Sequence, residues 1–326
     1  MSSMRILFKT PVQLLVFICA LGSTQINAQE IWPNRTIKFV VGFGPGGAND
    51  IVARVVADGV SKQLGQAVIV ENKPGAGSVL GADLVAKSTP DGYTFFVSAG
   101  GIITNPMIKK TMPYKEGDLV PVAMLSVSPS VIVVSAESSV KSLKDLIVRA
   151  KASKGILFAT AGTGSTPHFV AEMLKVHAGG QYEIVPYKSG SEAKVAVISN
   201  QVDATSEASV VVIPQIQGGR LRAIASTWNK RIEALPEVPT AKEEGYPEIF
   251  IGHWAGIFAP KGTPEPILDK MNKAIDLALR SPEIQKRLAP QGIEPIPGSR
   301  ASFAKFLAEE KNRLQPIVRK ASMKED

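Results

Sequence analysis

Residues 39–50, FVVGFGPGGAND, decide the fold of this chain. Phe39, Val40 and Val41 make a short apolar run of strand type, and four glycines follow within six positions, Gly42 to Gly47. A helical pattern begins at about Ala48. Glycine lets the backbone turn sharply and bring its N–H groups close to a ligand. The helix that follows points the positive end of its dipole at the same spot. Strand, glycine loop and helix in that order form a device for holding an anion.

The same unit recurs after this stretch. Residues 37–41 form the strand, and the helix runs to about Leu64. Residues 68–70 lead through ENKPGAG (71–77) to a helix over about 79–87. Pro90-Asp91-Gly92 is a turn by residue type, and residues 93–98 form a third strand ending at Gly100-Gly101. Such alternation predicts an α/β fold, with a mostly parallel sheet and helices on both faces. Ligands of such sheets collect outside the carboxyl ends of the strands, where these loops lie.

The pattern restarts with a strand at 131–134 and a helix at 142–151, for which Ser142 is the cap. A strand at 156–159 opens onto TAGTGSTP (160–167) and a helix over about 168–177. Residues 184–186 lead through YKSGS (187–191) to a helix ending at Ile198. Residues 202–205, 214–217 and 222–227 continue as strand, helix and strand. The C-terminal stretch is helical, with Phe303, Phe306, Leu307, Leu314 and Ile317 apolar and Pro316 a point of kinking. Two similar halves predict two lobes facing one cleft.

Composition narrows the function. With 326 residues, 44% of them hydrophobic, the chain has material for two lobes of roughly 100–150 residues. The formal charge is +8, yet Lys and Arg are scattered, with no Arg-rich helix, zinc pattern or aromatic-basic motif, so nucleic acid is excluded as a partner. The charge suits solubility and a mild preference for anionic solutes. Residues 1–28 read as a cleavable export signal: Arg5 and Lys9, then the apolar run LLVFICAL (14–21), then Ile26-Asn27-Ala28. The run of about eight residues is too short to span a bilayer. Cys19, the only cysteine, lies within it, and the bulky Ile18 before it disfavours a lipid anchor. The exported chain, with a charge of +6 once Arg5 and Lys9 are gone, then has no disulfide, cysteine nucleophile or thiolate metal site. These features predict a soluble periplasmic protein.

Gly42-x-Gly44-x-x-Gly47 formally matches the dinucleotide fingerprint, with Glu71 at about the right distance to meet a ribose. Pro45 stiffens that turn, and a nicotinamide cofactor kept inside the cell sits poorly with an export signal. There is no G-x-S-x-G elbow and no HExxH, and His168, His177 and His253 lack metal spacing. His168 lies beside Ser165 and Thr166 without a third orienting group. The expectation is a protein with no catalytic set, no cofactor and no metal. The 160–167 loop has two uses: a plain turn in which Thr166 caps the helix and Pro167 opens it, or a donor set made of backbone N–H groups with the hydroxyls of Thr163, Ser165 and Thr166. Its pairing with the first glycine loop favours the donor set. Residues 71–77 read as a structural turn beside the cleft; residues 98–101 suit either role.

In order along the chain, these segments resemble the tripartite tricarboxylate transporter solute receptors, the TctC or Bug family of periplasmic binding proteins. The marks are Trp32-Pro33, Phe43-Gly44-Pro45-Gly46-Gly47 with Asp50 and Ala53-Arg54, Val70-Glu71-Asn72 and Gly75-Ala76-Gly77. They continue through Pro90-Asp91-Gly92-Tyr93-Thr94, Asn105-Pro106, Ala161-Gly162 with His168, and Val185-Pro186-Tyr187-Lys188. Leu221-Arg222-Ala223, Leu235-Pro236 with Val238-Pro239-Thr240, Glu244-Gly245, and Ala259-Pro260 with Gly262-Thr263-Pro264 complete them.

The resemblance implies a two-lobed, type II periplasmic-binding-protein fold crossed twice by the chain. The lobes would be 29–125 with 254–326, and 126–253. It implies a monomeric receptor that closes on a small carboxylate and passes it to the membrane permease of a tripartite tricarboxylate transporter. A periplasmic sensor signalling to a membrane kinase would use the same fold. By position, Phe43, Gly46, Gly47, Ala48, Asn49 and Ser98 face the ligand from the first lobe. Gly162, Thr163, Gly164, Ser165, Thr166, His168 and Glu207 face it from the second. Related chains carry an Asp-Asn pair where this one has Glu207-Ala208, so no relative's ligand transfers directly.

Overall fold

The computed structural model describes residues 32–324; the expected export signal lies outside the described residues. The first elements are β1 (Ile37–Val41), α1 (Ala48–Leu64), β2 (Val68–Asn72), α2 (Val79–Ala86), β3 (Thr94–Ser98), α3 (Gly101–Ile108) and the long β4 (Leu119–Ser135). Next come α4 (Leu143–Ala150), β5 (Ile156–Thr160), α5 (Thr166–His177), β6 (Tyr182–Pro186), α6 (Gly190–Ile198), β7 (Ala204–Ala208), α7 (Ser209–Gln217) and β8 (Leu221–Ser226). The chain finishes with β9 (Gly252–Pro260), α8 (Glu265–Arg280), α9 (Pro282–Leu288), β10 (Glu294–Pro295) and α10 (Arg300–Lys320).

The strands follow the order β2-β1-β3-β9-β4-β7-β5-β6, with β8 and β10 also on β4. Within each half the strand–helix–strand units are parallel, as the alternation predicts: β1 with β2 and β3, and β5 with β6 and β7. The halves meet on β4, which is antiparallel to its neighbours. Its residues 119–129 pair with β9, and residues 130–135 pair with β7 and β8. Only residues 131–134 of this 17-residue strand have the sequence pattern of one. Pro121 and Pro129 break the rest, as do serines at 126, 128 and 130 that are buried all the same. Ser130 Oγ is held by Ser206 Oγ at 2.7 Å and His253 Nε2 at 3.0 Å, which satisfies a hydroxyl in the core.

Two further differences from the sequence reading bear on the site. Helix α3 begins where the sequence shows only a glycine pair, despite Pro106 inside it. In a helix this short, the missing N–H of Pro106 forfeits only the bond to Ile102. Strand β7 runs past residue 205 to Ala208, which places Glu207 within the sheet opposite Val131.

Helices fix the first half by fours: Val52, Val56 and Val60 of α1 and Leu268, Met271, Ile275 and Leu279 of α8 are all buried in one core. A second core joins Phe158, Phe169 and Leu146 to Leu314 and Val318 of α10. At its other end α10 packs Phe303 against Trp254 and Phe258, with ring centroids 6.0 and 5.3 Å apart, so one helix braces both halves. Among the described residues no helix is long and apolar enough to cross a membrane.

Candidate functional site

The carboxyl ends of β1, β3, β5 and β7 converge on one cavity. Phe43, Gly47, Ala48 and Asn49 reach it from the β1–α1 turn, and Ala99, Gly100 and Gly101 from the β3–α3 turn. Ala161, Ser165, Thr166 and Pro167 close it from the other half, with Gly190, Glu207 and His253. The cavity is small, about 40 Å³ as swept by the centre of a water-sized sphere. No Lys or Arg lines it, and among the described residues no group of side chains is arranged to hold a metal ion.

Four helices, α1, α3, α5 and α6, begin at its wall. The first turn of a helix leaves its N–H groups without intrahelical acceptors, and the dipole adds positive potential at the same end. At α1 these donors are Ala48 and Asn49; at α5, Thr166, since Pro167 has none. Neither α1 nor α5 has a side-chain cap of its own. Such a wall suits an anion of carboxylate size.

The first glycine loop is held by Asp50, which is 4% exposed. Its Oδ2 accepts from Gly46 N–H at 3.0 Å and Arg54 Nε at 3.1 Å, and its Oδ1 from Arg54 Nη2 at 2.8 Å and Asn72 Nδ2 at 2.9 Å. Asn72 also donates to Phe43 O at 2.9 Å. Burial opposes the charge of Asp50, but Arg54, the Gly46 N–H and Asn72 together hold its carboxyl below the ordinary value. Glu71, the residue a dinucleotide would need, is instead bound by Lys38 and Lys73 at 2.7 and 2.6 Å.

Of the thirteen site residues expected from sequence, Phe43, Gly47, Ala48, Asn49, Ser165, Thr166 and Glu207 meet at the cavity. The others do different work. Gly46 donates its N–H to Asp50. Ser98 is fully buried below the cavity, its Oγ donating to Ala99 O at 3.4 Å. Gly162 and Thr163 line an adjoining cleft of about 390 Å³ with residues 75–78 and Tyr187. Gly164, at φ +75°, packs on Thr104, whose Oγ1 donates to its carbonyl at 2.8 Å. His168 Nδ1 accepts the Gly164 N–H at 3.1 Å, so this histidine latches the loop from behind. Ser165, and not Thr166, is the N-cap residue of α5, and its Oγ donates to Gly162 O at 2.6 Å. Of the two hydroxyl residues that line the cavity, Ser165 and Thr166, Thr166 is the one whose Oγ1 has no partner in the described residues.

Glu207 is 3% exposed, and burial raises its carboxyl to about 8 against weaker opposing pulls from Thr205 and Lys194. Thr205 Oγ1 approaches Oε1 at 3.3 Å but donates at 2.8 Å to Ala159 O. His253 stands on β9 opposite Ser128; desolvation holds its ring neutral. The sequence reading missed Ala99, Gly100, Gly101, Ala161, Pro167, Gly190 and His253. The glycines stand in loops it had marked, whereas nothing local announces His253, which β-pairing brings to the wall.

Residues 52–323 match the profile of the family described as tripartite tricarboxylate transporter family receptor. The chain is 35% identical to BugT of Bordetella pertussis over 313 residues, 95% of this chain and 96% of BugT. The solved periplasmic binding protein BugD is 31% identical, with a TM-score of 0.86 over 90% of this chain and all of BugD. MatC from Rhodopseudomonas palustris, solved with bound malate, is 31% identical, with a TM-score of 0.82 over 88% of this chain and 99% of MatC. The fold is thus the two-lobed α/β fold of periplasmic binding proteins, and the matches are to receptors rather than to enzymes.

Proposed function

The chain belongs to the tripartite tricarboxylate transporter receptor family, and from that premise we propose that it captures a small carboxylate in the cavity described above and delivers it to a tripartite tricarboxylate-type permease. The observation that carries this reading is the convergence of four helix N-terminal ends on a cavity without a basic side chain. The ligand carboxylate lies against the N–H groups of Ala48 and Asn49 from one lobe and Thr166 from the other. MatC, solved with malate, shows a carboxylate held by a relative. The lobes are 29–125 with 254–326, and 126–253, and they hinge where β4 and β9 pass between them. The receptor acts in the periplasm, exported by residues 1–28, as a monomer.

Magnitudes suffice without a cation from the protein. A micromolar site needs about 8 kcal/mol net of ordering costs. Hydrogen bonds to a charged group contribute about 1.5–3 kcal/mol each, and helix ends about 0.3–1 each. Four or five donors reach that total. Thermal-shift and calorimetric screening of the exported chain against aliphatic and aromatic mono-, di- and tricarboxylates tests the reading. At least one class should bind with micromolar affinity. A screen with no binder, or a bound-state structure with the carboxylate away from Ala48, Asn49 and Thr166, would overturn it.

A further inference from the structure

Glu207 is the feature of this cavity that carboxylate capture does not use. It stands on β7, nine-tenths or more buried, and lines the cavity; its Oε1 is met by Thr205 Oγ1 at 3.3 Å, and its Oε2 makes no hydrogen bond among the described residues. Gly190 leaves it room: a Cβ there would lie 2.0 Å from Oε2. Lys194 of α6 supplies the opposing charge that acts on it, is half-buried itself, and does not line the cavity. Across the space His253 is neutral and committed to Ser130 at 3.0 Å. The walls thus offer N–H donors and one acidic acceptor, with no cationic side chain to hold a second carboxylate.

Resting on the reading above, we propose that Glu207 selects the ligand: a carboxylate that also carries a protonated amine, its carboxylate on the helix ends and its ammonium on Oε2. A dicarboxylate would set its far carboxylate against Glu207, and two carboxylates in contact cannot both ionise without a large penalty. An ammonium meets an unpaired acceptor and removes the cost of burying it alone.

Proton balance follows. In the free receptor the Glu207 carboxyl titrates at about 8. A zwitterion binds the ionised form, so at neutral pH one proton leaves Glu207 for solvent while the ammonium keeps all of its own. Zwitterion affinity then rises with pH by up to about tenfold per unit below that value and levels off above it. A dicarboxylate requires the proton to stay, so its affinity is flat at lower pH and falls above about 8.

Calorimetry of the full exported chain between pH 6 and 9, in buffers of different ionisation enthalpy, tests this. The probes are L-alanine, β-alanine, 4-aminobutyrate, malate and succinate. The expected result is binding of an amino acid with release of nearly one proton at pH 6 to 7, falling toward none at pH 9. Glu207→Gln should lose at least tenfold in that affinity and lose its pH slope, with an unchanged melting temperature. If malate or succinate binds while no amino acid does, without proton release and as well to Glu207→Gln, the proposal is overturned and carboxylate capture stands. If no probe binds and the wider carboxylate screen is also empty, both fall. The pH slope of the wild-type chain decides the matter even if the variant folds poorly.

Discussion

Thr166 shows how little chemistry distinguishes a proposed ligand residue from its neighbours. Ser165, one position earlier, has its hydroxyl directed to Gly162 O, whereas Thr166 lines the cavity with its Oγ1 unpaired among the described residues. A valine has nearly the same shape without the donor. Thr166→Val should therefore weaken carboxylate binding about tenfold, from loss of one hydrogen bond to a charged group at about 1.5 kcal/mol. Its denaturation midpoint should match the wild type. Calorimetry and a urea titration check the two halves of that statement, and equal affinity would remove the Thr166 hydroxyl from the site while leaving its backbone N–H in place. Both residues were visible as donors in the sequence; which hydroxyl is free depends on the turn that Gly162 and Gly164 make, with φ near +97° and +75°.

At the level of elements, the first glycine loop works because α1 reaches back to hold it. Asp50, on the first turn of α1, fixes Gly46 and, with Asn72, ties the loop to β2. Arg54 is half-exposed, so its share is discounted for solvent. Asp50→Ala should lower stability by about 2 kcal/mol and weaken ligand binding through a looser loop. The folded carboxyl titrates below its ordinary value of 3.8, so its contribution is complete above that value and lost as pH falls through the lower folded one. Urea denaturation between pH 3 and 7 should show a shallower acid limb in Asp50→Ala than in the wild type. Parallel limbs would contradict this role. Asp50 stood out in the sequence as part of the loop pattern, yet its partner Asn72 is 22 residues away, and only the pairing of β1 with β2 brings them together.

Across the whole molecule, the halves touch directly through two hydrogen bonds outside the cavity lining. Thr104 Oγ1 of α3 donates to Gly164 O at 2.8 Å, and Gly44 N–H donates to Lys188 O at 3.3 Å. Both bonds join the β1–β3 half to the β5–β7 half, so under the proposed hinge motion they would favour the closed arrangement. A hinged receptor binds with an affinity reduced by the fraction that is closed. Thr104→Val should therefore raise the dissociation constant about fivefold, for a neutral bond of about 1 kcal/mol. Small-angle scattering should show a larger radius of gyration in the ligand-free variant. Unchanged affinity and unchanged scattering would mean that closure does not depend on this bond.

The local periodicity of the sequence determined the α/β alternation, the glycine loops at strand ends and most of the strands and helices around them. Those properties follow from backbone sterics and from the spacing of apolar side chains, both of which act over a few residues. Tertiary structure alone decided that β4 is one long strand through buried serines and two prolines. It also decided that His253 and Glu207 share a wall with the helix ends. Partners for a buried hydroxyl or acid come from strands far apart in the chain, so no short window of sequence contains them.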